Sequence, residues 1–176
     1  MPLVLPPSVL GFYLLLAFSP QYGAGKWLQD NLNLHFVFSF QGLVLASFIY
    51  SMPFMIGPVK SALEQLPVSL VQASYTLGKS RRETFIKVLL PNIKPSLFTA
   101  AVLTFAHTLG EFGVVLMIGG NIPGITRVAS IAVYDSVEGM DYASANTYSL
   151  ILFAITFVLV TGVFIYNKSR AKSPLA

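Results

Sequence analysis

The sequence predicts an all-α protein that passes several times through a membrane. Three observations predict it. Of 176 residues, 55% are hydrophobic and only 10% charged, and the mean hydropathy is +0.70; a soluble domain carries about 25% charged residues. The apolar residues gather into four runs, at about 3–18, 37–57, 96–119 and 148–166. The charges gather between and after them, and six of the eleven Lys and Arg residues fall within 59–95.

The first run, 3–18, is short against the roughly 20 residues that cross about 30 Å of hydrocarbon. Pro6 and Pro7 place a helix start near them, because proline suits a first turn. The run lacks a basic start and a clean small-residue cleavage site, so it reads as a membrane segment rather than a signal peptide. Gly11 is either part of a plain helix or a point of close helix–helix contact. Pro20, Gly23 and Gly25 mark a turn or loop, and Tyr22, Trp27 and Phe36 suit a membrane interface. His35 is read as an interfacial or loop residue.

The second run, 37–57, is long enough to span. Gly42, Ala46 and Tyr50 recur every four residues and give it a face of small or kinking groups. Pro53 frees a carbonyl that a neighbour or water must satisfy. Gln41 faces a pathway or bonds across a helix contact. The third run, 96–119, carries His107 and Glu111, four residues apart on one expected helical face. Glu111 is the acidic residue inside the apolar runs; a carboxylate in lipid is costly and belongs in a bundle interior or water-filled space. The two side chains read as a structural couple or as part of a proton or substrate path. Residues 120–147 return to polar character, with a turn around Gly119, Gly120, Pro123 and Gly124 and a short helix expected over 126–137. GGNIPG is not a phosphate loop, since no Lys-Ser/Thr ending follows. The fourth run, 148–166, leads to a tail bearing Lys168, Arg170 and Lys172.

The charges orient these runs. If 59–95 lies in the cytoplasm, the inside regions hold nine basic residues, six in the loop and three in the tail, against Glu64 and Glu83. The outside regions hold Lys26 and Arg127 against Asp30, Asp135, Glu138 and Asp141. Loop and tail agree independently, which puts both termini in the cytoplasm by the positive-inside rule. The net charge of +4 therefore reads as orientation, not as affinity for nucleic acid. There is no cysteine, which excludes disulfides, thiolate metal sites and a Cys nucleophile. Two distant histidines do not make a metal centre, and no cofactor is expected.

The basic loop has internal order. Leu63, Leu66, Leu70, Ala73 or Ser74, and Leu77 recur at helical spacing. A short helix is expected over about 66–77, with Pro67 in its first turn and Gly78 closing it. Lys79, Arg81 and Arg82 follow, where a helix C-terminus tolerates positive charge. Such a helix lies on anionic lipid or docks a cytoplasmic partner.

Within this loop, Gln72-Ala73-Ser74, then Gly78 six residues after Gln72, then Val88, Leu90 and Pro91, resemble the signature loop of bacterial ABC importer permeases. That signature begins with Glu-Ala-Ala and ends in an Ile-x-Leu-Pro type sequence. The spacing matches; Gln72 stands where the family has an acid, and Ser74 where it has an alanine. The opening at 3–7, Ser-Met-Pro-Phe-Met at 51–55, the loop at 73–78, His-Thr-Leu-Gly-Glu-Phe-Gly at 107–113 and 119–124 extend the likeness to the permease subunits of molybdate importers. Sulfate and tungstate permeases are the nearest rivals.

The resemblance implies a single permease domain over 1–176 in the bacterial inner membrane, built as an importer-permease helical bundle. Family members usually carry further membrane segments before the one matching 3–18, so the expected bundle lacks those N-terminal segments, as a truncated or a naturally short form. It implies a homodimer around one path, cytoplasmic ATP-binding subunits, and an extracytoplasmic oxyanion-binding protein, with membrane lipid around it. The expected docking residues are Leu70, Gln72, Ala73, Ser74, Leu77, Gly78, Arg81, Arg82 and Pro91. Ser47, Ser51, Thr104 and Thr108 are expected along the path, as weak neutral donors to an oxyanion. Having no P-loop, the chain is expected to be a transport subunit and not an enzyme. A membrane scaffold and a proton-coupled carrier using His107 and Glu111 are the competing classes. An intramembrane enzyme is the poorest reading, since no Ser/His/Asp or metal cluster assembles.

Overall fold

A computed structural model describes residues 5–21 and 23–171, with side chains through Asn167. Its regular elements are all helical, as composition and periodicity predict. They are α1 (Pro7–Ala17), α2 (Gly23–Leu32), α3 (Phe40–Glu64), α4 (Val68–Thr76), α5 (Arg81–Thr84), a π-helical turn (Phe85–Leu89), α6 (Leu90–Asn92), α7 (Lys94–Leu109), α8 (Gly113–Gly119), α9 (Ala129–Glu138) and α10 (Tyr142–Ala171). Two of the described helices, Phe40–Glu64 and Tyr142–Asn167, are long and apolar enough to cross a membrane. A third crossing exists if Arg81–Asn92 and Lys94–Leu109, bent by 69°, form one broken span. The described residues fall into two compact units, one within 5–53 and 106–158, the other within 54–105 and 159–171.

In the first unit the sequence dictates where helices stop. α1 starts on Pro7, which has no N–H to leave unpaired. It packs side by side with α8, and Gly11 is the contact. A Cβ at Gly11 would stand 2.8 Å from Met117 Cβ and 3.0 Å from Val114 Cα. Gly11 therefore lets two apolar helices approach to backbone contact. The small face expected on α3 is its buried face, with Gly42, Ala46 and Tyr50 all buried. They join Leu43, Val114, Val115, Ile118, Ile131 and Ala145 in the core of this unit. Gln41 is exposed.

The third apolar run is not one helix. α7 ends at Leu109 and α8 begins at Gly113. Gly110 and the polar Glu111 interrupt it, which hydropathy alone does not detect. α8 in turn ends on Gly120, whose φ of +67° is the left-handed conformation that glycine adopts without strain. The following loop winds on Thr126. Its hydroxyl donates to the Gly119 carbonyl at 2.6 Å and accepts from the Ile122 N–H at 2.8 Å. Asn121, Arg127 and Asp135 close the outside of that loop, with Arg127 to Asp135 at 3.0 Å. The short helix expected at 126–137 is α9, starting three residues later.

In the second unit α3 continues past the expected end of its apolar run, through Pro53 and Pro58, to Glu64. The loop therefore begins as helix. Near the far end of the unit, Phe98 and Tyr166 meet with ring centroids 5.2 Å apart, and Asn167 Nδ2 donates to Thr99 Oγ1 at 2.7 Å. These contacts pin α10 to α7. Elsewhere α10 buries little, only 6% of its apolar window, and Phe153, Val158 and Phe164 are exposed. In lipid that exposure carries no hydrophobic penalty.

Gly11→Leu forces α1 off α8. The unfolding midpoint of the detergent-solubilised protein is expected to fall, by an overpacking cost of about 1–3 kcal/mol. Gly11→Leu should lower it more than the same change at Gly57, where a Cβ meets nothing within 4 Å.

Candidate functional site

The 59–95 segment folds into a clip. α4 runs from Val68 to Thr76, with Pro67 at its N-cap rather than inside the first turn. Its C-terminus closes as a Schellman motif: the Gly78 N–H donates to Tyr75 O at 2.9 Å and the Lys79 N–H to Ser74 O at 3.1 Å. Gly78 supplies the required positive φ of +74°. The chain then turns directly into α5. Ser80 and Glu83 form a capping box, each side chain accepting from the other's backbone N–H. Arg81 and Arg82 follow the C-terminus of α4, as the sequence reading has them, and stand at the same time in the first turn of α5. Positive charge is unfavourable there, and Glu83 offsets it. The Glu83 carboxyl is held below its ordinary value, first by the hydrogen bond from Lys87 at 2.9 Å, then by the Ser80 N–H and the charges of Lys87 and Lys79.

The two arms of the clip are fastened by one polar contact. Ser74 Oγ and Thr84 Oγ1 lie 2.9 Å apart, and both residues are buried. Two buried hydroxyls that satisfy each other cost little; removing one leaves the other unpaired, at about 1–3 kcal/mol. After α5 the helix widens into the π turn. There Leu90 N–H reaches back to Phe85 O, an extra residue per turn that eases the ring of Pro91, which has no N–H to give. The elbow to α7 is at Ile93, 2% exposed.

The expected docking residues therefore sort by exposure. Gln72, Ala73, Leu77, Gly78, Arg81, Arg82 and Pro91 are exposed, and Leu77 is 78% so. Leu70 is half-buried and Ser74 fully buried, so these two support the clip from within. The outer surface is an apolar knob at Leu77 beside cationic groups.

A second polar cluster lies in the first unit, on α3, α7 and the α7–α8 break. Ser51 Oγ and Thr108 Oγ1 are 2.5 Å apart. Ser47, one turn from Ser51 on α3, is half-buried in this unit, and Thr104 is half-buried in the second unit. His107 and Glu111 do not share a helical face, because α7 ends between them. They are linked instead through Tyr50. The Tyr50 ring stacks on His107 at 5.7 Å, its hydroxyl lies 3.3 Å from His107 Nε2, and it is also hydrogen-bonded to Glu111. Tyr50 is the third polar group, hidden in the sequence by its place in a row of small residues.

Glu111 has structural work. Its carboxylate accepts the Val114 N–H at 3.0 Å, one of the donors that α8 leaves open, and its carbonyl accepts from Ser130 Oγ at 2.6 Å. Outside the spans, Tyr134 is raised by its hydrogen bond to Glu138 and that residue's charge, and Asp141 is lowered by the Ser144 hydroxyl and N–H. No group of three or more His, Cys, Asp or Glu able to hold a metal occurs among the described residues. A recess of about 370 Å³ in the second unit is lined in part by Ser61, Gln65, Ser96, Thr99 and Asn167, a neutral polar set that the sequence does not single out because its members come from three distant segments.

Comparison with known proteins agrees with the loop signature. Residues 1–170 match the family described as binding-protein-dependent transport system inner membrane component. The molybdenum transport system permease protein ModB of Azotobacter vinelandii is 42% identical over the whole chain, which spans 77% of that relative. A probable sulfate transport system permease protein cysT of Chlorella vulgaris is 37% identical over 97% of the chain and 64% of its own length. ModB of Escherichia coli K12 is 40% identical over 78% of the chain and 60% of its own length. The chain thus spans three fifths to about three quarters of the relatives named. It belongs to the family of binding-protein-dependent transport system inner membrane components and is a transport component rather than an enzyme.

Proposed function

We propose that the chain forms the membrane path of an ATP-driven oxyanion importer, with molybdate as its cargo, and receives force from a cytoplasmic ATPase through residues 59–95. The observation that carries the docking role is the clip itself: a Schellman-closed helix that presents Leu77 to solvent, followed across the turn by the exposed Arg81 and Arg82. An exposed apolar knob on a fully hydrogen-bonded turn suits a preformed cleft in a partner, since little order is left to impose on binding. Molybdate is favoured over sulfate by the 42% identity to a molybdenum permease over the whole chain, against 37% to a sulfate permease.

In this reading two copies enclose the path, an extracytoplasmic binding protein delivers the anion, and closure of the ATPases on ATP pushes the clips. The basic loop and tail lie in the cytoplasm. Ser51 and Thr108, whose side-chain oxygens lie 2.5 Å apart, offer the path neutral hydroxyls. Such donors bind weakly enough to release. Glu111 is spent on α8 and Tyr50 and stays out of contact with the anion, which it would repel.

Two outcomes test this. Leu77→Asp should abolish co-purification with the ATPase while leaving the thermal midpoint of the membrane subunit unchanged; binding equal to the parent's sinks the docking role and favours a scaffold lying on lipid. In proteoliposomes containing the complete importer, uptake of labelled molybdate should require both ATP and binding protein. Uptake driven by a proton gradient alone contradicts it, and sulfate outcompeting molybdate reassigns the cargo.

A further inference from the structure

Ser74 departs from the alanine of the family signature, and the structure gives that hydroxyl a place. It is 4% exposed, on the inner face of α4, and its partner Thr84 is 1% exposed in the last turn of α5. The link of 2.9 Å joins the two arms ten residues apart in sequence. The turn between them is fixed in its own right by Gly78, Lys79 and the Ser80–Glu83 box. A fixed turn sets the position of the arms at one end only. Short helices of nine and four residues pivot about such a turn unless a second point holds them. The Ser74–Thr84 link is the buried polar point that does so, alongside the packing of α4 on the π turn, and it sits beyond the turn on the side leading to the π turn and α7.

We infer that Ser74 and Thr84 form a latch that makes the docking helix and the stem of α7 move as one body. Its role is positioning. The pair faces inward, touches no ATPase, and contributes nothing to docking affinity directly. Its consequence is coupling: with the latch closed, displacement of α4 reaches α5, the π turn and the Ile93 elbow; with it open, α4 yields by itself. The inference rests on the docking reading above and deepens it.

The test measures docking and coupling separately in the complete importer in liposomes. Ser74→Ala and Thr84→Val should keep ATPase binding at the parent level, because Leu77, Arg81 and Arg82 are untouched. Anion transported per ATP hydrolysed should fall roughly 2- to 30-fold, the span of coupling energies carried by residues between linked sites. An unchanged ratio in both variants overturns the latch. The chain has no cysteine, so Ser74→Cys with Thr84→Cys gives a second reading that does not depend on the hydroxyls. Oxidation should hold the ratio near the parent value and reduction should lower it; a ratio indifferent to oxidation also overturns the latch. A parent chain that binds no ATPase removes the docking role, and with it the latch, whereas bound variants with normal coupling remove the latch alone.

Discussion

A backbone group that leaves its helix needs a new partner, which inside hydrocarbon only the protein can supply, and the breaks after α4, α7 and α8 are shaped by that need. Where α7 stops, Glu111 supplies an acceptor to the Val114 N–H and offers its own carbonyl to Ser130. Where α8 stops, Thr126 bonds Gly119 O and the Ile122 N–H at once. Where α4 stops, Gly78 and Lys79 return to Tyr75 and Ser74. A buried carboxylate, a buried threonine and a left-handed glycine are thus three answers to one requirement. The first also accounts for an acid inside an apolar run without assigning it to transport.

The same constraint separates what was legible in the sequence from what was not. The all-helical architecture was legible because apolar runs and helical spacing report burial directly. The buried face of α3 was legible in the recurrence of Gly42, Ala46 and Tyr50, and the turn at Gly78 in the glycine itself. The break at residues 110–112 was not, since hydropathy averages over a run and does not track which carbonyls lose their donors. That omission carried over to His107 and Glu111, placed on one face of a helix that ends before the second of them. In the sequence Tyr50 reads as packing, although its hydroxyl joins the two. In the sequence Gly11 stands between a plain helix and a contact; only the distance to Met117 decides it, because a small residue states what it permits and not what comes near.

For the site, the spacing from Gln72 to Pro91 located the loop but not its surfaces. Leu70, Ser74 and Leu77 belong to one predicted stripe, yet the helix ends at Thr76 and the chain turns, so Leu77 swings outward while Ser74 stays in. The departures from the family signature then differ in kind. Ser74 is absorbed by Thr84, inside the clip. Gln72 is exposed and removes a negative charge from the outer surface, which leaves that surface apolar and cationic.

That outer surface is the central claim, and site-directed cross-linking reads it directly. In the absence of native cysteine, Leu77→Cys and Ser74→Cys, introduced singly into the assembled importer, differ only in the side of the clip they occupy. Leu77→Cys should cross-link efficiently to the ATPase through a short bifunctional reagent and Ser74→Cys should not. Equal cross-linking from both positions, or none from Leu77→Cys, contradicts a docking face at the end of α4.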